Sequence, residues 1–422
     1  MRRIVIAGLL AGVCLAHAPI AAAQSAPQGD EASDTDAIIV TARRREESLQ
    51  RVPAAITAFG SQDLLERGIR TDSDLQLNTP GLTIRQTQGN NSLTYSIRGQ
   101  TADTFSGTPS AVIAYLNEVP LTTSSASSFY DLANVLVLKG PQGTLFGRNA
   151  TGGAVLYNTA KPTNEFKGLL RGRIGSLGQR EVEGVLNVPL VDDTVLLRGA
   201  FSVVRRDGYI HNLYNNENLG RVERNSGRVT LTLKPAAQFT NTTMFQYTDV
   251  DGTNTGASYT WSVYGNGVSC PTNNGFQLNC NAAYTYPGLV NYPALQKQLG
   301  YYTTNHPGGA RHHGFDWIVT NTSTVELNDN LTLKNIFGAS RSKVTSEQPQ
   351  LGAPFVTIAT YNAATGLVGN RLNIDVISDE LQLQGTAMGE RLRFIFGAYF
   401  QRQTTETTWP QSYFLATPFP PL

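Results

Sequence analysis

From Phe166 onward, apolar and polar residues alternate with a period of two. Val229, Leu231 and Leu233 interleave with Arg228, Thr230, Thr232 and Lys234, while Leu392, Phe394, Phe396, Ala398 and Phe400 interleave with Arg391, Arg393, Gly397, Tyr399 and Gln401. Strand side chains point to opposite faces in turn, so each segment has one greasy and one polar face. Nine such segments occur, near 166–175, 179–190, 193–205, 225–234, 237–248, 314–327, 330–341, 372–385 and 390–403. Their connections divide by parity. After the second, fourth, sixth and eighth segments the turns are short: Val191-Asp192-Asp193, Pro235-Ala236, Asn328-Asp329 and Thr386 to Gly389. After the third, fifth and seventh they are long: Arg206 to Arg224, Asp249 to His313 and Ser342 to Arg371. Only the first connection on the long side, Ser176-Leu177-Gly178, is short.

Tight turns at one rim and extended loops at the other match a transmembrane β-barrel, with short periplasmic turns and long external loops. A soluble β-sandwich also alternates, with its apolar face inward, but gives no reason for the parity. Charged residues are only 15% of the chain against the ~25% of a typical soluble protein. With 40% hydrophobic residues and a formal charge of +1, neither disorder nor nucleic-acid binding is expected. No apolar run of 18 residues follows residue 23, so spanning a membrane requires strands.

Arg2 and Arg3 precede an apolar run from Ile4 to Ala16, and Ala21-Ala22-Ala23 precedes Gln24. Residues 1–23 therefore read as a secretory signal peptide, the competing reading being a short anchor. Of the three cysteines, Cys14 falls in that segment; Cys270 and Cys280 remain, in the longest loop. In an exported chain, an even pair favours a disulfide over zinc, for which there is no CxxC or spaced histidine partner. Residues 24–47 read as a flexible leader that contains Ile38-Ile39-Val40-Thr41-Ala42, a β-prone segment suited to adding to another protein's sheet edge or to starting the next domain. Residues 48–162 form an α/β-like block. A helix capped by Ser61 runs through Leu64 and Leu65 to Gly68, a second covers Ser73 to Leu77 before Pro80, and strands follow at 93–98, 111–116 and 135–138. Gln86 to Ser92 and Gln100 to Ser110 are expected to be exposed loops.

Val137-Leu138-Lys139-Gly140-Pro141-Gln142-Gly143-Thr144-Leu145-Phe146-Gly147-Arg148-Asn149-Ala150-Thr151-Gly152-Gly153-Ala154 resembles the plug domain of TonB-dependent outer-membrane receptors. Ile38 to Ala42 is similar to a TonB box, Arg98-Gly99 to an Arg-Gly strand end of the plug, and Asn187-Val188-Pro189-Leu190 to the second barrel strand. The glycines have their own reading, as positions of positive φ and close backbone approach in a confined turn. A phosphate loop is the weaker alternative, since no Gly-Lys-Ser/Thr follows. The chain departs from the family at Leu136, where a glutamate is usual, and at Asn117-Glu118, where Asp-Gly is usual.

The resemblance implies an α+β plug followed by antiparallel barrel strands in the outer membrane of a Gram-negative bacterium. It also implies energised uptake of a scarce ligand: a ferric siderophore, or alternatively a carbohydrate or vitamin. TonB and its inner-membrane complex would be the partner, binding Ile38, Ile39, Val40, Thr41 and Ala42. Ligand contacts are expected at Arg85, Gln86, Gln88, Asn90, Thr101, Asp103 and Phe105 on plug loops and at Tyr259, Trp261 and Tyr264 outside. His306, His312 and His313 could hold metal or haem, but surface histidines near a rim more often do neither. No cofactor is implied. A Gly-x-Ser-x-Gly elbow and a His-Glu-x-x-His pair are both missing, which points away from a hydrolase; a secreted β-rich binding protein or adhesin is the rival from another class. A plug of this size needs a barrel of about 22 strands, so nine lead to the expectation of an N-terminal fragment of a longer receptor.

Overall fold

The computed structural model describes residues 39–40, 47–48, 55–86, 93–101, 110–121, 129–143, 150–253, 260–262, 286–307, 309–347, 352–355, 358–359, 361–362, 366–389, 391–410 and 412–413. Two short strands, β1 (Ile39–Val40) and β2 (Glu47–Ser48), pair with each other. The plug then runs β3 (Ala55–Gly60), α1 (Ser61–Glu66), α2 (Asp72–Leu77), β4 (Leu82–Gln86), β5 (Leu93–Ile97), β6 (Val112–Leu116), β7 (Val119–Pro120), β8 (Leu132–Lys139) and β9 (Gly153–Thr159). Its five-stranded sheet has the order β3-β8-β9-β6-β7, with only β6 and β9 parallel. Val135 and Val137 of β8 enter one core with Phe59, Leu75, Ile97 and Tyr157; Leu136 and Leu138 enter a second with Tyr115 and Leu156. A sheet covered on both faces requires such a continuous apolar run. It also explains the first family departure, because Leu136 is wholly buried among apolar neighbours.

Helix capping differs in detail from expectation. Ser61 is the first helical residue and not the cap: Gly60 occupies that place, its N–H donating to Asp63 Oδ2 at 3.0 Å. The second helix starts earlier than Ser73, at Asp72. Thr71 caps it reciprocally, taking the Asp74 N–H on Oγ1 at 3.2 Å and donating its own N–H to Asp74 Oδ2 at 2.9 Å.

Beyond the plug come β10 (Lys167–Ile174), β11 (Arg180–Val191), β12 (Val195–Arg206), β13 (Ile210–Asn212), β14 (Glu217–Leu219), β15 (Val222–Ala236), β16 (Phe239–Thr253), α3 (Tyr292–Leu299), β17 (Thr303–Thr304), β18 (Arg311–Asn328) and β19 (Leu331–Ser346). Short pieces β20 (Ile358–Ala359), β21 (Tyr361–Asn362) and β22 (Leu367–Val368) precede β23 (Asn370–Ala387), β24 (Leu392–Thr408) and β25 (Ser412–Tyr413). Nine of these form one antiparallel sheet, β10-β11-β12-β15-β16-β18-β19-β23-β24, in the places the alternation assigns. Most strands run several residues further at the long-loop rim than the alternation does, because the backbone ladder continues after the outer face turns polar. At the other rim the ladder shifts register at Pro189/Val191, Leu233/Ala236 and Glu326/Asn328, beside the tight turns.

The sheet is inverted relative to a soluble protein. On β15 the polar Arg228, Thr230 and Thr232 are only 2–4% exposed, whereas Val229 between them is 51% exposed. The polar face meets the plug, and Phe201, Phe245, Tyr247, Phe396 and Phe400 stand outward. A sandwich would bury the other face. Among the described residues no helix is long and apolar enough to cross a membrane.

Candidate functional site

The signature segments converge at one end of the plug sheet. After β8 the chain turns at Gly140, whose N–H donates to Gly152 O at 3.0 Å; Gln142 N–H donates to Ala150 O at 2.8 Å, and Gly152 N–H to Ala111 O at 2.8 Å. Gly153 is obligatory: its φ is +146° and a Cβ would lie 2.2 Å from Leu138 O. Gly152 has no room either, with Gln100 Cβ 2.7 Å from the same position. Gly143 has no positive φ and, among the described residues, no close neighbour, so the expectation of a positive-φ turn fails there. Arg98 takes a left-handed φ of 52° before Gly99, and its side chain lies beside Gly81 and Gly140. Pro141 follows on the exposed side of the turn. Gly147 and Arg148 lie outside the described residues.

Asp72, Tyr95 and Tyr157 form a buried polar cluster that local sequence patterns do not disclose. Tyr157 Oη donates to Asp72 Oδ1 at 2.7 Å, Tyr95 Oη donates to the same oxygen at 3.1 Å, and the two hydroxyls are 3.2 Å apart. Burial, then the Asp72 charge, pushes both phenols well above the ordinary tyrosine value. They remain neutral donors joining α2 to β5 and β9.

Among the described residues, polar contacts at three places fasten the plug to the sheet around it. Asn117 and Glu118 turn β6 into β7 with φ of 48° and 69°, the two left-handed positions of a two-residue hairpin. Here the departure from Asp-Gly has a counterpart, since the Glu118 carboxylate accepts Lys334 Nζ of β19 at 2.6 Å. On another side, Asp131 receives Arg198 Nε at 2.8 Å, and Arg228 lies 4.4 Å over the Tyr130 ring while donating to Tyr130 O at 3.1 Å. The third is Asn187, which takes the Thr163 N–H at 2.9 Å and donates to Thr163 O at 2.7 Å and Glu165 O at 2.5 Å. That contact gives the Asn187 motif a physical purpose: it clamps the segment joining plug to sheet. Apolar contact adds to these, with Met244, Ile318 and Ile336 joining the plug core.

The expected ligand contacts are only partly placed. Arg85 is exposed on β4, Gln86 ends that strand, and Thr101 is exposed after β5. The Trp261 and Tyr301 ring centres lie 5.0 Å apart with their planes tilted by 47°, and Tyr209 meets Tyr302 edge-on at 6.3 Å, so aromatic side chains do gather among the long loops. Gln88, Asn90, Asp103, Phe105, Tyr259, Tyr264, Cys270 and Cys280 lie outside the described residues, as do Ile38, Thr41 and Ala42. Ile39 and Val40 are the strand paired with Glu47–Ser48. His306 and His312 are buried; among the described residues no three His, Cys, Asp or Glu side chains are grouped to hold a metal.

A family model of the TonB-dependent receptor plug domain matches residues 48–154. Residues 48–154 thus carry a TonB-dependent receptor plug domain. The pesticin receptor of Yersinia pestis is 30% identical over 224 residues, 52% of this chain and 32% of that receptor. The ferripyoverdine receptor of Pseudomonas aeruginosa is 31% identical over 169 residues, 39% and 20% of the two chains. Among solved structures, the ferric yersiniabactin uptake receptor of Yersinia pestis superposes with a TM-score of 0.63 at 18% identity, over 84% of this chain and 49% of that one. The ferripyoverdine receptor bound to ferripyoverdine gives 0.63 at 15% identity, over 89% and 46%. These superpositions establish the fold: a plug with part of its β-barrel. The chain spans about half the length of these solved structures and less of the curated relatives it matches.

Proposed function

We propose that this TonB-dependent receptor takes up a ferric siderophore across the outer membrane of a Gram-negative bacterium. The observation that carries the reading is the inverted sheet: an apolar outer face for lipid, and a polar inner face closed on a plug. The relatives that bind ferripyoverdine or take up ferric yersiniabactin support the class of cargo. Ligand is captured by Arg85, Gln86, Gln88, Asn90, Thr101, Asp103 and Phe105 on the plug and by Tyr259, Trp261 and Tyr264 in the loops. Residues 1–23 direct export. Energy arrives through TonB, which adds a strand at Ile38 to Ala42; because Ile39–Val40 already pair with Glu47–Ser48, TonB must use the free edge or displace β2.

The test is uptake of radioactive iron as a panel of defined siderophore chelates by cells carrying the receptor, with and without residues 38–42. Binding should persist in the deletion while accumulation is abolished; unchanged accumulation sinks the proposal. Fractionation separates this from a secreted adhesin: a heat-modifiable outer-membrane band is expected, and release as soluble protein overturns the membrane placement.

A further inference from the structure

The outward face of β11, β12, β15 and β16 carries an apolar groove of about 540 Å³. Its walls are Leu186, Phe201, Val229 and Phe245, each about half exposed, and its floor is Gly199 and Gly227. In the ladder, Gly199 sits between Leu186 and Val229, and Gly227 between Phe201 and Tyr247. Glycine weakens a strand interior, and its usual justification there is something lying close above it. Among the described residues nothing does so: a Cβ on either residue would meet no heavy atom within 4 Å. Gly184 in the same region differs, since the Phe201 ring covers it at 2.2 Å from a Cβ. The two floor glycines therefore hold open a space that no described residue fills.

Along the same strands, four residues beyond Gly184 and Phe201 (~13 Å at strand rise) and six beyond Leu186 and Gly199, Arg180 and Arg205 are direct cross-strand partners on the outward face. Like charges placed opposite each other destabilise a sheet unless an anion lies between them. Arg180 is exposed and makes no ion pair among the described residues. Arg205 is oriented by bonds to Val204 O at 2.8 Å and Asn225 Oδ1 at 2.8 Å; its nearest carboxylate, Glu223, is 3.9 Å away and is also held by Arg221. The arginines lie toward the long-loop rim and the groove toward the tight turns, the order of a headgroup and its acyl chain in an external leaflet.

We propose that this face binds a phosphorylated lipid of the outer leaflet, its phosphate between Arg180 and Arg205 and one acyl chain over Gly199 and Gly227. The site rests on the membrane placement above. The full chain, purified in nonionic detergent, is titrated with monophosphoryl lipid A or phosphatidylcholine and read by native mass spectrometry. Arg180→Gln with Arg205→Gln removes the headgroup contacts; Gly199→Leu with Gly227→Leu fills the groove, where space exists for the new side chains. Each double variant should bind monophosphoryl lipid A at least tenfold more weakly, phosphatidylcholine should bind weakly throughout, and inorganic phosphate should not compete. Unchanged binding in both variants, or equal binding of phosphatidylcholine, overturns the site. Outer-membrane fractionation of the same proteins separates the two failures: correct insertion with unaltered lipid binding refutes the lipid site alone, and absence from the membrane refutes both readings.

Discussion

Glu118 occupies a strained backbone position, and its partner Lys334 lies 216 residues away, which makes the pair a sensitive test of how the plug is held. A non-glycine residue at a φ of 69° carries a strain of about 1 kcal/mol that glycine would relieve. Against that stands a charge-assisted hydrogen bond of 2.6 Å between side chains only 12% and 14% exposed, which contributes roughly 1.5–3 kcal/mol. Glu118→Gly should therefore cost about 0.5–2 kcal/mol, the pair less the strain. Lys334→Met relieves no strain and leaves a largely buried carboxylate without its lysine, at a cost of about 3 kcal/mol. The double variant strands no charge and relieves the strain, so it should lie within about 1 kcal/mol of the parent. Hydrogen exchange of the peptides spanning 112–121 in the intact chain reads the opening equilibrium, in which ~1.4 kcal/mol is tenfold. Lys334→Met should raise exchange about a hundredfold, and adding Glu118→Gly should restore most of the protection. Additive costs, with the double variant worse than either single one, would refute the account.

Asn187→Ala leaves the Thr163 N–H without its acceptor and frees the joining segment; a loss of about 1–3 kcal/mol and faster proteolysis between 160 and 166 are expected. Gly153→Ala forces a Cβ against Leu138 O and should abolish plug folding, while Gly143→Ala should change stability by less than about 0.5 kcal/mol, both read by limited proteolysis. The raised Tyr95 and Tyr157 values give a pH dependence with a definite sign. Both tyrosines are neutral in folded and unfolded chains below pH ~10, where their contribution is intact; above it the unfolded chain ionises first, so stability falls as pH rises toward the folded values. Denaturant titration between pH 8 and 12 should show this fall, and Tyr95→Phe with Tyr157→Phe should flatten it.

What could be read in advance follows from where each signal is generated. The nine long strands announce themselves because an exposed apolar face and a buried polar face impose a period of two, as Val229 and Arg228 illustrate. Plug strands have apolar surroundings on both faces, so β9 (Gly-Ala-Val-Leu-Tyr-Asn-Thr) has no alternation and lay hidden at the end of a glycine-rich motif. In the sequence the left-handed turn at Asn117-Glu118 stands out only as a departure from a family pattern; its ion pair with Lys334 has no local signature at all. The same holds for Asp72, whose partners Tyr95 and Tyr157 are 23 and 85 residues distant. Gly143 shows the opposite error, a glycine credited with a role because its neighbours in the motif have one.

The polar inner face has an energetic consequence for any motion of the plug. Much of what the sheet presents inward is hydroxyl or amide: Thr230, Thr232, Gln246, Thr248, Ser340, Ser342, Ser378 and Gln382 are all buried. Water entering between such a face and a displaced plug can satisfy these groups, so exposing them costs little net free energy. Uncovering Met244, Ile318 and Ile336 has no such compensation, at roughly 1.5–3 kcal/mol for each side chain. The charged contacts at Glu118 and Asp131 fall between, since water can solvate their charges once separated. Among the described residues, resistance to plug displacement is thus concentrated in a few apolar residues of β16, β18 and β19, the packing of Tyr130 against Val185, Ala200 and Arg228, and two ion pairs, while much of the remaining wall can be wetted. Displacing the plug would therefore cost most where these contacts break, and the wall of hydroxyls and amides could accept the water that followed.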